Sequence, residues 1–325
     1  MGRKSLFLFP ALTTLCLTSC SGAHHEIKEY VLSMAYQSNF RILQLTDTHL
    51  GDKENTKVHY DFMDLTIKDA NANFIVVTGD LFTFASKSTA LEFFDYLDSH
   101  KTPWTVVFGN HDEQCYFSVD WLTGELNKRS ESNDSYCMFK DIQDDDVHGN
   151  SNFAINLMKD GNIFEQLIFM DSNRYYFGSY FGYDYFKQNQ IDWYSDLIDA
   201  TAAEAGHVVP SLMFYHIPLP EIREAWEKGQ KVQEGVKEEE SCNPDYNSGF
   251  FKVIKEKGST KGMYFGHDHI DTFVVTYEGI DFGYGIKATD SVYNNEELLG
   301  GRVITVKDDR TMEYQNIFHK YEEVL

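Results

Sequence analysis

Five short apolar segments of this sequence are each followed by side chains that can bind a metal ion. Each segment is rich in β-branched and aromatic residues and has the length of a buried strand. The segments are 40–45, 74–77, 104–108, 211–215 and 263–265. The side chains that follow them are Asp47 and His49, Asp80, Asn110 and His111, His216, and His267 and His269. Because sites in open α/β sheets form at the carboxyl ends of strands, we expect these side chains to meet at one place.

The order of the predicted elements indicates a layered α/β fold. Segments of helical length and pattern, 60–72 and 89–100, alternate with the early strands. After residue 272, three apolar runs are separated by turn residues, which predicts antiparallel strands. These runs are 273–277, 301–306 and 312–317. The sheets are therefore expected to be mixed.

The distribution of these elements predicts a single domain over 39–325. No internal repeat and no linker rich in Pro or Gly divides the sequence. Two long polar excursions, 112–150 and 228–247, interrupt the regular elements and are expected to overhang the site.

The spacing and chemistry of the strand-end residues indicate a transition-metal site. Asp47 with His49, and His267 with His269, are two positions apart, so in extended chain each pair points to one side. The preceding glycines, Gly79, Gly109 and Gly266, permit sharp turns and close approach to an ion. Mixed carboxylate, imidazole and amide donors suit Mn, Fe or Zn, whereas calcium uses oxygen alone. Any one of these residues alone fits a turn, a helix cap or a hydrogen-bonded histidine, but the joint pattern favours metal.

The N-terminus has the features of an export signal. Arg3 and Lys4 precede an apolar run, 6–17, that is short for a permanent membrane span. The ending Leu-Thr-Ser-Cys20 resembles the lipobox of bacterial lipoproteins, so we predict a signal peptide over 1–19, lipidation of Cys20 and a tether over 20–38. The protein would then be exported and lipid-anchored to a bacterial cell membrane, on its periplasmic or cell-surface side. The alternative is ordinary cleavage, with Cys20 incidental.

Charge and cysteine content limit the partners and the covalent structure. The formal net charge is −23, and no basic run exceeds two residues, so long nucleic acid is not expected as a partner. After removal of the signal and lipidation of Cys20, the remaining cysteines are Cys115, Cys137 and Cys242. They allow one disulfide, with Cys115 and Cys137 the first pair to test, or three free thiols.

The ordered blocks resemble the calcineurin-like metallophosphoesterases, whose signature is D-x-H, G-D, G-N-H-[DE], H and G-H-x-H. The resemblance covers about 40–306, and all five blocks occur between Asp47 and His269. The segments "QIDWY", "HIPLPE", "YNSGFF" and "GHDHID" are similar to a branch related to purple acid phosphatases. Thr83 stands where purple acid phosphatases have a metal-binding tyrosine, so the resemblance implies neither the phenolate ligand nor its colour.

This resemblance implies a fold, a metal centre and a set of roles. The implied fold is a four-layer α/β/β/α sandwich of two mixed sheets, and the implied cofactors are two divalent metal ions. One ion would be bound by Asp47, His49 and His269, the other by Asn110, His216 and His267, with Asp80 bridging. Asp268 would point away from both ions.

The resemblance also implies catalytic roles for His111, Asp80 and Asn110. His111 would be the general acid, held in its charged form by Asp112 or another carboxylate. Arg174 is a candidate phosphate contact, with a surface arginine as the alternative.

The function implied is hydrolysis of phosphate monoesters by in-line attack of a metal-bound hydroxide, on a small phosphorylated substrate. One alternative is a phosphodiesterase that acts on nucleotides or other small diesters. Another is a non-catalytic surface lipoprotein that keeps the scaffold for binding.

Overall fold

Two mixed β-sheets form the centre of the protein. The computed structural model describes residues 26–52, 56–142, 146–178, 181–233 and 235–325. Strands are numbered in chain order. The first sheet, in spatial order, consists of β15 (Met312–Phe318), β14 (Gly300–Val306), β2 (Phe40–Leu45), β3 (Phe74–Thr78) and β4 (Trp104–Val107). In it, β2, β3 and β4 are parallel, whereas β14 is antiparallel to both of its neighbours.

The second sheet is larger and also mixed. In spatial order it consists of β1 (Val31–Ala35), β5 (Phe153–Lys159), β6 (Asn162–Phe169), β9 (Ser211–Phe214), β11 (Thr260–Phe265), β13 (Ile280–Tyr284), β12 (Val274–Tyr277) and β10 (Gln230–Gln233). The strands β6, β9, β11 and β13 are parallel. A separate two-stranded hairpin joins β7 (Tyr175–Phe177) to β8 (Phe181–Tyr183).

Helices cover the outer face of each sheet. They are α1 (Thr56–Ala70), α2 (Lys87–Ser99), α3 (Val119–Ser130), α4 (Gln188–Ala205), α5 (Ile222–Lys228) and α6 (Phe250–Lys257). Alternate side chains of β6 point to opposite faces: Leu167 and Phe169 join the core shared with the first sheet, while Ile168 packs with α4 and α6. This order of layers confirms the predicted α/β/β/α sandwich of two mixed sheets.

The N-terminal edge of the second sheet corrects the predicted tether. Within the segment 20–38, Ile27–Tyr30 form a 3-10 helix and Val31–Ala35 form β1, which pairs in parallel with β5. Tyr36 packs its ring 4.1 Å from that of Phe164 and donates its hydroxyl to the carbonyl of Val306 at 3.1 Å. These contacts are long-range, so local composition did not reveal them. The predicted signal 1–19 and Cys20 lie outside the described residues.

Two further observations concern the described part of the chain. No helix there is long and apolar enough to cross a membrane. Cys115, Cys137 and Cys242 are all free thiols there, so Cys115 and Cys137 form no disulfide. Cys137 instead packs in the core, with its Sγ 3.7 Å from the carbonyl of Leu126.

Glu165 on β6 is expected to make stability fall as pH rises. The side chain is 2% exposed, and burial raises its pKa from 4.5 to about 8, although Arg310 and Lys261 partly oppose this. Since the folded state holds the proton more tightly than the unfolded state, folding is penalised increasingly between these two values. Glu165→Gln should therefore raise the free energy of unfolding, by about 3 kcal/mol more at pH 9 than at pH 5.5.

Urea unfolding in a metal chelator measures this difference. Glu204→Gln, which removes the same charge from an exposed site, is the matched control and should show no such pH dependence. An equal gain from Glu165→Gln at both pH values would contradict the assignment.

Candidate metal centre

The carboxyl ends of β2, β3 and β4 meet those of β9 and β11 at one edge of the sandwich. The loops after β2 and β3 are tied by backbone hydrogen bonds, from Asp47 N to the Gly79 carbonyl at 3.1 Å and from His49 N to the Asp80 carbonyl at 2.9 Å. The two sheets are joined here by His216 Nδ1, which lies 2.8 Å from the carbonyl of Thr78. Residues from distant parts of the sequence are thereby brought together.

One group of ligand-type atoms comes from Asp47, His49, Asp80 and His269. One atom from each of these buried side chains lies within 4.8 Å of every other. The Nε2 atoms of His49 and His269 are 3.1 Å apart, and each faces Asp47 Oδ1, at 3.8 and 3.4 Å respectively. Two imidazole nitrogens and two carboxylates thus face a common point.

A second group comes from Asp80, His216 and His267, again within 4.8 Å. His216 Nε2 lies 3.2 Å from Asp80 Oδ2, the same oxygen that lies 3.6 Å from His49 Nε2. Asp80 is therefore common to both groups. Asn110 follows β4, and its Nδ2 donates to the hydroxyl of Tyr175 at 2.8 Å.

The hydrogen bonding of these groups fits bound cations. Among the residues of the two groups and Asn110, four buried ligand-type atoms have no hydrogen-bond partner: Asp47 Oδ1, Asn110 Oδ1, His216 Nε2 and His267 Nε2. Leaving such atoms unpaired costs about 1–3 kcal/mol each, and a cation supplies the missing partner. Mixed nitrogen and oxygen donors suit borderline divalent metals.

The charges of the groups also suit metal binding. Burial lowers the pKa of His267 to about 3, so this imidazole is neutral with a free lone pair. Burial by itself would raise the pKa of Asp80, but His216 and His49 beside it hold the pKa well below its usual range. Burial likewise lowers the pKa of His216, and the Asp80 carboxylate outweighs this and raises it to about 10. A cation at Nε2 would take the place of that proton.

The part of the sequence that carries these residues matches a known protein family. Residues 40–271 match the model of the calcineurin-like phosphoesterases. The chain belongs to the calcineurin-like phosphoesterase family. It is similar to probable inactive purple acid phosphatase 14 of Arabidopsis thaliana, at 27% identity over 95% of this chain and 85% of that protein. It is also similar to probable inactive purple acid phosphatase 29 of the same plant, at 28% identity over 87% of this chain and 81% of the relative.

A solved structure shares the fold of this calcineurin-like phosphoesterase. The dimetal phosphatase from Danio rerio superposes with a TM-score of 0.56 at 14% identity, covering 87% of this chain and 98% of the other.

Three histidines of this calcineurin-like centre are oriented by a hydrogen-bond partner at Nδ1, the ring nitrogen that faces away from the centre. His216 Nδ1 faces the Thr78 carbonyl, His269 Nδ1 lies 2.9 Å from the Tyr293 carbonyl, and His49 Nδ1 lies 2.8 Å from Thr83 Oγ1. A carbonyl can only accept, so Nδ1 carries the proton in the first two rings and Nε2 faces the centre. Thr83 is thus a partner of a ligand-type histidine.

Thr83→Val is expected to weaken metal binding at the group that contains His49. Without the hydroxyl, His49 Nδ1 loses its partner and the ring orientation is less restricted. Loss of such a partner typically lowers metal affinity by about 10- to 100-fold. Calorimetric titration with Zn²⁺ or Mn²⁺ measures the change. Thr48→Val is a same-loop control, because the Thr48 hydroxyl donates to the Leu81 carbonyl instead; equal losses in both variants would count against a specific role for Thr83.

The backbone is strained where it carries these side chains. Four of the ligand-type residues adopt left-handed φ values: Asp47 (52°), His49 (44°), Asp80 (49°) and His267 (80°). Such conformations cost about 1–3 kcal/mol each and concentrate at functional sites. Gly109 is needed for closeness, since a Cβ there would lie 2.2 Å from Asp80 Oδ1.

His111 lies beside the first group, but Asp112 does not hold it. The backbone N–H of His111 donates to Asp80 Oδ1 at 2.8 Å, and its Nδ1 lies 2.8 Å from Gln114 Oε1. The carboxylate of Asp112 accepts instead from the backbone N–H groups of Phe82 at 3.0 Å and Gly109 at 2.7 Å. Asp112 therefore joins the loops after β3 and β4, and Gln114 is the side chain that orients His111.

Arg174 is engaged by neighbours outside the two groups. Its Nη1 forms an ion pair with Glu113 Oε1 at 2.8 Å, and its Nη2 donates to Asn150 Oδ1 at 3.2 Å. This pairing favours the structural alternative over a phosphate contact. Both partners, Glu113 and Asn150, belong to the excursion 112–150, so the pairing attaches Arg174 to that excursion.

The excursion 228–247 forms part of the wall of the centre. The backbone N–H of Cys242 donates to Asp268 at 3.2 Å, and the hydroxyl of Tyr284 donates to the same carboxylate at 2.5 Å. Asp268 therefore points away from the two groups, as the resemblance implies. Glu239 accepts from the hydroxyl of Tyr293, whose ring stacks 4.1 Å from that of His269.

Sequence reasoning missed several residues that contact the centre. Lys287 is 1% exposed and donates to the carbonyl of Asp47 at 2.7 Å. Tyr183 places its ring 4.4 Å from that of His267, edge to face. Tyr175 binds Asn110. The available signal was the pair of aromatic runs around a turn at 175–183, which indicates a hairpin.

Proposed function

We propose that this protein is a two-metal phosphoesterase that hydrolyses phosphate monoesters of small molecules. The observation that carries the proposal is the pair of ligand groups that share Asp80. Four ligand-type atoms at these groups are buried and have no hydrogen-bond partner. When bound, two divalent ions supply charge neutralisation for a phosphoryl group and lower the pKa of an attacking water. Mn, Fe and Zn all fit the donors, but Thr83 provides no phenolate for a purple ferric site.

The chain's own residues supply positioning and a proton. One ion would be held by Asp47, His49 and His269, the other by Asn110, His216 and His267, with Asp80 shared. Asn110 is fixed by Tyr175, which directs its Oδ1 inward. His111, oriented at Nδ1 by Gln114, can donate a proton from Nε2 to the departing alkoxide, an effect typically worth about 10²- to 10⁴-fold.

Two features bear on the choice between an enzyme and a non-catalytic binding protein. The plant relatives are named probable inactive, and the zebrafish structure is named a dimetal phosphatase. In this chain all seven ligand-type residues are present and six of them converge in the two groups, while His111 has its ring 5.0 Å from that of His49. This complete set supports an active enzyme.

Metal analysis and a phosphate-release assay test the proposal. The protein made without residues 1–20 is loaded with Mn²⁺, Fe²⁺ or Zn²⁺ and given p-nitrophenyl phosphate or its bis-ester. We expect two bound ions and faster metal-dependent release from the monoester. Faster release from the bis-ester would favour the phosphodiesterase alternative. Two bound ions without turnover would favour the binding alternative, and no bound metal would exclude the two-metal centre.

We also propose that the protein is exported and held at a bacterial membrane by a lipid on Cys20. The basic residues, apolar run and cysteine at the N-terminus support this location. Cys20→Ala is expected to move the protein from the membrane fraction to the soluble fraction. Retention of the variant in the membrane fraction would count against the lipid anchor.

A further inference from the structure

We propose that the hairpin β7–β8 binds the organic group of the substrate, and that this group carries an uncharged aromatic ring. The inference rests on the proposed function, because it places the substrate phosphate at the two ligand groups. It goes further in naming the substrate class, a monophosphate ester of an aromatic alcohol or a phenol.

Four aromatic side chains share one face of the hairpin. In its antiparallel register, Tyr175 pairs with Tyr183 and Phe177 pairs with Phe181. Because side chains alternate along a strand, these four lie on the same face. Their rings are in mutual contact: Tyr175 and Tyr183 stack at 5.8 Å, Tyr175 and Phe181 at 5.8 Å, and Phe177 lies 5.4 Å from Phe181. The face is a continuous aromatic surface.

The inner pair of this surface contacts the metal centre. The hydroxyl of Tyr175 accepts from Asn110 Nδ2 at 2.8 Å, and the ring of Tyr183 meets His267 edge to face at 4.4 Å. Asn110 and His267 belong to the same ligand group in the proposed centre. The aromatic surface therefore begins at the second metal position.

The outer pair extends from that position into solvent. Phe177 is 79% exposed and Phe181 is 70% exposed, although both are large apolar side chains. A strand rises about 3.3 Å per residue, so the outer pair lies roughly 7 Å beyond the inner pair. This separation is on the scale of an aromatic ring joined to the phosphorus at the centre through one to three atoms, the longest being the linker of a 2-phenylethyl ester. The two exposed rings are tilted by 50° to each other, so each offers a face or an edge against which such a ring can pack.

The charge around the site favours an uncharged ring. Glu239 lies near the centre, where it accepts from the Tyr293 hydroxyl, and the chain as a whole has a formal net charge of −23. A second anionic group on the substrate would be repelled outside the range of the metal ions. A single phosphate on a neutral ring avoids this repulsion.

Matched substrates and an exposed double variant test the inference. The substrates 2-phenylethyl phosphate and ethyl phosphate have alcohol leaving groups of similar acidity. We expect the wild type to prefer the aromatic ester by about ten-fold in kcat/KM. The variant Phe177→Ser/Phe181→Ser should lose this preference to within about two-fold and keep its activity on ethyl phosphate. Phe318→Ser, at a 40% exposed phenylalanine on β15, is the control and should keep the preference.

Binding of non-hydrolysable analogues separates this inference from the proposed function. Calorimetry with 3-phenylpropylphosphonate and propylphosphonate, in which a CH2 replaces the ester oxygen, should show the same ten-fold preference, lost in the double variant. If that preference is present without turnover of any ester, the proposed function fails and the aromatic subsite stands. A wild-type preference near unity, or one that survives the double substitution, overturns the subsite. Loss of binding to lipid vesicles in the double variant, with the preference intact, would assign the outer pair to a membrane surface instead and likewise overturn it.

Discussion

Asp80→Asn is expected to lower kcat/KM for phosphate monoesters by about 10³-fold and to reduce the bound metal. The Oδ2 atom of Asp80 is shared by the two ligand groups, 3.2 Å from His216 Nε2 and 3.6 Å from His49 Nε2. An amide has no negative charge with which to hold two cations close together. Since metal-based charge stabilisation contributes several kcal/mol to the transition state, its loss corresponds to a rate change of this size. Steady-state kinetics and elemental analysis measure the two effects.

The substitution is close to isosteric, so the fold should persist. The amide oxygen can still accept from the backbone N–H of His111, as Asp80 Oδ1 does at 2.8 Å. Asp171→Asn is the matched control, because Asp171 is equally buried but accepts from the backbone N–H groups of Asn150 and Asn173. Full activity in Asp80→Asn would rule out a mechanism in which two bridged metals act together.

His267→Ala and His269→Ala are each expected to leave one bound metal ion, and the double variant none. The two imidazoles are two positions apart, but His269 faces Asp47 and His49 whereas His267 lies with His216. Each single substitution should therefore weaken a different ion, by more than the roughly 100-fold that loss of an outer partner can cause. Elemental analysis after gel filtration gives the ion-to-protein ratio for all three variants.

The double variant decides between two ions and one. If both histidines bound the same ion, the double variant would keep the same single ion as each single variant. His100→Ala, which removes a histidine beside Asp64 away from the two groups, should retain two ions. Loss of both ions in either single variant would indicate that the ions bind only together.

Local sequence pattern was sufficient to place the strands that carry the ligands. The segment 40–45 coincides with β2, and the other four predicted strands differ from the observed ones by a few residues at their ends. The pattern succeeds because each strand is buried and apolar along its length and stops at a polar residue. The edge strand β1 was missed for the converse reason, since its side chains are only partly buried.

The roles of polar residues near the ligands were harder to predict. Asp112 follows His111 directly, and adjacency suggested a carboxylate that holds the imidazole. The chain instead turns through a 3-10 helix at Asp112–Gln114, which directs Asp112 inward to two backbone N–H groups and brings Gln114 to His111. Because of this three-residue turn, the partner of the His111 ring is Gln114 and not Asp112.

The amino-acid sequence alone determined the α/β class, the strands that end at the centre and the residue types offered there, because these depend on short-range hydrophobic pattern and on side-chain chemistry. The spatial fold decided which ligand-type atoms face one another. It brings the Nε2 atoms of His49 and His269 to 3.1 Å although the residues are 220 positions apart, and it places an aromatic hairpin in contact with Asn110 and His267. Those relations depend on how two sheets pack and on hydrogen bonds between loops distant in sequence, such as the one from His216 to Thr78. No local pattern encodes such contacts, since their free energy is gained only when the layers come together.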